Sequence, residues 1–255
     1  MTDKSYDYVN NPDVLTIGCS QTSGVGLPFG WAWPEILKVS LGASINNCSA
    51  PGHGVPFLID AAFEVMVKWG VPKKVYLLTP DFERLEVPNY EQENDIYQPL
   101  SVTWNYLYGA YFTDGEPVRL KTLEGKKATI PRELAIKDSI KSVRLLQRFC
   151  RINNIDMKVS SWVTAVVNFL QDLQIDDFIG PKPKNPECSG PEDFISKWYG
   201  LNYHFSCSHK PTNERQELLW DLADDNIHAG LHAQIHLAEF FSQKPVTQEH
   251  IKALS

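Results

Sequence analysis

The stretch Val-Leu-Thr-Ile-Gly-Cys-Ser-Gln-Thr, residues 14–22, decides the fold. It begins with a short apolar run that ends in glycine, which is typical of a buried parallel strand. Ser20 follows directly after this run. In open parallel sheets, ligands bind beyond the carboxyl ends of the strands, where a hydroxyl can face a crevice lined by backbone N–H groups. Taken alone, Ser20 is better explained as a turn residue or a helix cap.

Strand and helix signals alternate on both sides of this stretch. The further predicted strands are Ile45 to Asn47, Val75 to Leu78 and Met157 to Trp162, and the predicted helices are Trp31 to Leu41, Phe57 to Trp69, Pro131 to Asn154 and Gly230 to Gln243. Alternation of this kind predicts a parallel sheet covered by helices on both faces. We therefore expect a single α/β domain over residues 1–255, built as a three-layer α/β/α sandwich.

The middle of the chain departs from this pattern. Residues 86–130 are polar and aromatic by turns, and we interpret them as an insertion or lid within the domain. Val118 to Leu123 and Lys126 to Ile130 predict a β-hairpin around a Glu-Gly turn. If the insertion overhangs a binding site, Trp104 and Tyr108 are its best candidates for substrate contact.

Composition narrows the classes of function. The chain has 255 residues and a formal net charge of -7, which disfavours a nucleic-acid partner. No apolar run reaches the roughly 18 residues needed to span a bilayer, so no membrane partner is expected. Residues 1–11 lack a secretory signal, and the five cysteines show no paired spacing. We expect a cytoplasmic protein with reduced thiols; a phage structural protein is also made in the cytosol and would end in the virion.

A second motif lies near the end of the chain. Asp225-Asn226-Ile227-His228 precedes the last long predicted helix. An Asp three residues before a His can orient the imidazole, which then takes a proton from a serine hydroxyl as general base. The alternative is that Asp225 or Asn226 caps the helix and His228 is an ordinary surface residue.

Together, these motifs resemble a known family. Gly18-Cys19-Ser20-Gln21-Thr22, a turn at Gly52 and the Asp225 to His228 motif occur in the order of the sequence blocks of the SGNH (GDSL-like) serine hydrolase superfamily. The resemblance is carried by short motifs between Val14 and Phe241, and it is closest to the divergent forms that bacteriophages encode.

The resemblance implies a fold, a chemistry and a set of roles. It implies a central parallel sheet of about five strands and hydrolysis of acyl esters without a metal or an organic cofactor. Ser20 would be the nucleophile, and its own amide would be one oxyanion donor. Gly52 would supply a second amide, while Asp225 would orient His228 as the base.

The sequence also departs from the family's pattern. Cys19 stands where the family has an Asp. After the third strand the chain reads Thr-Pro-Asp-Phe-Glu-Arg, residues 79–84, with no Asn where the family has a third oxyanion donor. Asp81 falls near that place, and a carboxylate would repel a developing oxyanion. Removing one such donor typically costs about 10² to 10³ in rate. The candidate substitutes are Arg84, His53 and Asn47.

Two functions follow from these observations. The leading hypothesis is a serine esterase acting on an acyl ester, in particular an acetyl ester carried by a glycan or a small molecule. The alternative is a weakly active or inactive protein of the same fold that serves as a structural or binding component, such as a virion protein, assembled as a homo-oligomer or in the virion. His228, His232 and His236 are spaced to share a helix face, but no acidic or cysteine partner matches their spacing, so we predict no metal site.

Overall fold

The structure is a computed structural model, and it describes residues 7–80, 82, 84, 118–121, 127–130, 132–161, 223 and 230–254. The elements in these ranges are, in chain order, β1 (Val14–Gly18), α1 (Ser20–Ser23), α2 (Trp33–Leu41), β2 (Ile45–Ser49), α3 (Val55–Trp69), β3 (Lys74–Thr79), β4 (Val118–Lys121), β5 (Lys127–Ile130), α4 (Arg132–Ile152), β6 (Asp156–Ser161), α5 (Leu231–Ser242) and α6 (Gln248–Lys252).

Four strands form one parallel sheet in the order β2-β1-β3-β6. Within the described ranges β1 and β3 are interior strands, and every residue of β1 is buried. Continuous burial is what a parallel strand needs when helices cover both faces of the sheet, and it explains the apolar run at the start of the chain. The predicted α/β class is confirmed, with four parallel strands in the described residues where the resemblance implied about five.

The first core lies between one face of the sheet and helices α3 and α4. Alternate residues of the strands point into it, as the two-residue period of a strand requires. The first core comprises Leu15, Ile17, Cys19, Cys48, Val55, Leu58, Ile59, Ala62, Met66, Val75, Leu77, Phe82, Val143, Leu146, Cys150, Ile155, Met157 and Val159.

The second core lies on the opposite face, under α2 and α5. It comprises Val14, Trp33, Ile36, Leu37, Ile45, Tyr76, Leu78, Leu237, Ala238 and Phe241. The ring of Phe241 stacks on Trp33 at a centroid distance of 4.7 Å and on Tyr76 at 5.5 Å. These contacts fix α2 and α5 against the sheet. The sheet and the helices packed on its two faces are the three predicted layers.

Most predicted elements lie within a few residues of the observed ones. The hairpin is confirmed as antiparallel β4 and β5. Helices α1 and α6 were not predicted. The remainder of the 86–130 segment, with Trp104 and Tyr108, lies outside the described residues, so its interpretation as an insertion or lid stays a prediction.

Candidate active site

Ser20 is the first residue of α1, directly beyond the end of β1. The Cys19 carbonyl accepts hydrogen bonds from the amides of Thr22 and Ser23, both at 3.0 Å, and so closes the first turn of the helix. The backbone N–H of a first helical residue has no acceptor within its own helix. Ser20 is partly exposed, whereas Cys19 and the end of β1 are buried. The turn therefore brings the hydroxyl of Ser20 out of the core at the edge where the strands end.

The side chain of Cys19, the residue before Ser20, packs into the first core. It is 0% exposed. The sulfur lies 3.9 Å from the Ser20 hydroxyl oxygen. Of the two neighbours, Cys19 is therefore buried and Ser20 is partly exposed.

Helix α1 is held in place by buried polar contacts of Thr22. The Thr22 hydroxyl accepts a hydrogen bond from the indole N–H of Trp33 at 3.3 Å, and its carbonyl accepts one from Asn47 Nδ2 at 3.3 Å. Asn47 Oδ1 in turn accepts from the Thr16 hydroxyl at 3.2 Å. A side chain at Gly18 would overlap the Thr22 hydroxyl, which explains the glycine before the Cys-Ser pair.

The turn after β2 lies beside the end of β1. The Ala50 amide donates to the Gly18 carbonyl at 3.0 Å, and the His53 amide donates to the Ala50 carbonyl at 3.3 Å. Gly52 has a φ of 92°, a left-handed conformation that favours glycine. The half-buried His53 ring stacks on Phe57 with a centroid distance of 4.0 Å. The sequence thus correctly placed a glycine turn at the edge that carries Ser20.

Arg84 joins the segment after β3 to this turn. It is only 8% exposed, and its Nη1 donates to the His53 carbonyl at 3.4 Å. A Cβ at Gly54 would lie 2.6 Å from the Arg84 carbonyl oxygen, so the two segments approach closely. Phe82 anchors the same segment because its carbonyl accepts from the Ser139 hydroxyl of α4 at 3.0 Å. The structure therefore brings Gly52, His53 and Arg84 together.

Asn47, the other candidate for the missing donor, has a different place. It is buried within β2 and its amide is engaged with Thr22 and Thr16. It therefore supports α1 rather than facing the edge that carries Ser20. Asp81, Asp225 and His228 lie outside the described residues, so their predicted roles stay predictions.

Of the three histidines spaced four residues apart, His232 and His236 lie on α5, and His228 lies outside the described residues. His236 is largely buried, and its Nδ1 lies 3.4 Å from Glu239 Oε2 one turn along the helix. Within the described part of the chain, no three His, Cys, Asp or Glu side chains group closely enough to hold a metal ion.

The contact between the buried residues Trp33 and Gln234 was not predicted from the sequence. The Trp33 backbone N–H donates to Gln234 Oε1 at 2.9 Å, across a separation of 201 residues. No local pattern in the sequence signals such a contact.

Comparison with known proteins gives a distant structural similarity. Neither the protein-family models nor the curated proteins include a match to the chain. Among solved structures, the fold is similar to an acetyl xylan esterase, Est2A, from the rumen bacterium Butyrivibrio proteoclasticus, at 13% sequence identity and a TM-score of 0.38. The similarity covers 68% of this chain and 56% of that structure, so the chain spans little more than half the length of the protein it matches. Across the described ranges, no helix combines the length and apolar character needed to cross a membrane.

Proposed function

We propose that this protein is a serine ester hydrolase with Ser20 as its nucleophile. The observation that carries the proposal is the position of Ser20: it is partly exposed at the first residue of a helix, beyond the carboxyl end of an interior parallel strand. The turn at Gly52 is hydrogen-bonded alongside. In open α/β sheets this edge is where ligands bind.

In the proposed reaction, Ser20 Oγ attacks the acyl carbonyl carbon while His228 takes the hydroxyl proton. His228 gives that proton to the leaving alcohol as the ester C–O bond breaks, and Asp225 orients the imidazole throughout. Water, deprotonated by His228, then attacks the acyl-enzyme. The acid is released and the proton returns to Ser20.

The negative charge on the tetrahedral carbonyl oxygen needs hydrogen-bond donors. We assign two of them to the backbone amides of Ser20 and Gly52. Arg84 is our candidate for the donor that replaces the absent Asn, because it lies against the Gly52 turn and carries a permanent positive charge. We assign substrate contact to His53, in the same turn.

The substrate we propose is a small acyl ester, in particular an acetyl ester on a carbohydrate. This choice comes from the family that the sequence motifs resemble. A panel of acetyl, butyryl and longer aryl esters, followed by acetylated oligosaccharides, would define the acyl group and the alcohol.

The test of the proposal is covalent labelling at Ser20. A fluorophosphonate should form an adduct at Ser20, and Ser20→Ala should abolish both the adduct and the turnover of an activated acetyl ester. Ser40→Ala is the matched control, since the Ser40 hydroxyl bonds a carbonyl within α2 away from the site. A folded protein without an adduct would overturn the proposal and favour the non-catalytic structural alternative.

A further inference from the structure

Helices α1 and α5 are far apart in the chain but are connected through a short series of buried hydrogen bonds. Helix α1 begins with Ser20, and helix α5 begins shortly after the Asp225 to His228 motif. Thr22 belongs to α1 and Gln234 to α5. Trp33, at the start of α2, hydrogen-bonds to both of them.

The contact between Trp33 and Gln234 replaces a missing helix cap. Ala32, the residue before α2, provides no side-chain cap. The Trp33 amide is among the first N–H groups of α2, which have no acceptor within the helix. Gln234 Oε1 accepts from this amide at 2.9 Å, and Gln234 is only 1% exposed.

The chemistry of Gln234 indicates that the contact has a purpose beyond packing. Among the residues that the structure describes, its buried Nε2 has no hydrogen-bond partner. Burying an unsatisfied polar group destabilises a protein by about 1 to 3 kcal/mol, so an apolar side chain would fill this place at lower cost. The glutamine is explained if its acceptor oxygen is required.

The Trp33 side chain contacts α1. Its indole N–H donates to the Thr22 hydroxyl at 3.3 Å. The ring is 0% exposed and stacks on Phe241 with an interplanar angle of 17°. Enclosed in this way, the indole cannot change its rotamer without opening the second core.

We propose that Trp33 is a positioning residue that sets α1, and with it Ser20, relative to α5 and the motif preceding it. This inference rests on the proposed function. A misplacement of about 1 Å can cost about 10²-fold in rate, so a rigid link between two chain segments that must exchange a proton has a direct catalytic effect.

The kinetic test is a double-mutant cycle. Trp33→Phe keeps an aromatic ring and the backbone amide but removes the indole donor, and Thr22→Val removes the acceptor of that bond. We expect each to lower kcat by about 10-fold with KM unchanged, and the double variant to be no slower than either. Ile45→Val, in the same core but on β2, is the control: it removes a buried methylene group and keeps both hydrogen bonds, so it should lower stability while kcat stays within about twofold. Additive losses in the cycle, or equal kcat loss in the control, would overturn the proposal.

A second test is independent of catalysis. Gln234→Met removes the acceptor for the Trp33 amide, whereas Gln234→Glu keeps one. Hydrogen exchange of the amides in residues 20–23 should be faster in Gln234→Met and near the wild-type rate in Gln234→Glu. Unchanged exchange at α1 in Gln234→Met would overturn the positioning role. If the wild type gives no fluorophosphonate adduct, the hydrolase assignment fails, and this exchange measurement still decides whether the link holds.

Discussion

At the scale of single residues, Arg84 is the most consequential side chain beyond Ser20. A buried guanidinium is strongly disfavoured unless polar groups surround it, and here it reaches the carbonyl of the turn that also contains Gly52. The sequence suggested Arg84 only as one of three candidates for a missing donor. The structure separates them, because Asn47 is engaged beneath α1 while Arg84 and His53 share the edge of the sheet.

Replacing Arg84 with Met should lower kcat on an acetyl ester by about 10² to 10³, the usual effect of losing one oxyanion donor, with a smaller change in KM. Arg84→Lys keeps the charge and should retain more of the rate. Arg148→Met, an exposed position on α4, is the control and should be neutral. Full activity in a folded Arg84→Met variant would show that Arg84 only connects two chain segments and is not an oxyanion donor.

At the scale of secondary-structure elements, the starts of three strands are joined by Asp13. Its Oδ2 accepts from the Ser44 amide at 3.0 Å and from the Ser44 hydroxyl at 2.8 Å, and its Oδ1 lies 2.7 Å from Lys73 Nζ. The hydrogen bond from Lys73, followed by those from Ser44, holds the pKa of the Asp13 carboxyl well below its usual value of 3.8. The folded state therefore favours the charged carboxylate.

This depressed pKa gives a prediction with a definite sign. The stabilisation from Asp13 is fully present above about pH 3.8 and is lost as the pH falls through the lower pKa of the folded state. Asp13→Asn should therefore have a lower urea midpoint than the wild type at neutral pH, and the gap should narrow below about pH 3.8. Ser40→Ala removes a hydroxyl that does not titrate in this range, so any gap between it and the wild type should not depend on pH. A gap independent of pH would contradict the role assigned to the carboxylate.

The elements also show how far the sequence predicts the structure. Apolar periodicity located the strands of the parallel sheet and the helices α2, α3, α4 and α5, because burial imposes that period. Helix α1 was missed because Ser-Gln-Thr-Ser has no apolar stripe. Helix α6 was missed because Thr247 is paired with His250 in its capping box, where Glu or Gln is the usual signal.

The candidate site was predictable to a similar extent. The block around Ser20 and the Gly52 turn were recognisable because both depend on local backbone geometry. Trp33 and Gln234 could not be paired from the sequence, since their hydrogen bond joins positions 201 residues apart. Long-range polar contacts of this kind leave no periodic trace.

At the scale of the whole molecule, the two cores share the same interior strands. Leu15 and Ile17 of β1 point into the first core while Val14 points into the second, and Leu77 and Leu78 of β3 divide in the same way. A disturbance in either core is therefore transmitted to the same strands.

We expect Leu146→Ala in the first core and Leu237→Ala in the second each to lower the free energy of unfolding by about 2 to 5 kcal/mol. Urea unfolding followed by far-UV circular dichroism and by tryptophan fluorescence should give coincident transitions in both variants. Transitions that separate between the two probes in either variant would show that the layers unfold independently.

The burial of Cys48 has a practical consequence for watching this molecule open. Removal from water raises the pKa of its thiol to about 12, with the charge of Glu64 adding to the effect. An alkylating reagent attacks the thiolate, and almost none exists at neutral pH while the interior stays closed. The rate at which alkylated Cys48 appears in native buffer would therefore report how often the sheet opens. No denaturant is needed for this measurement.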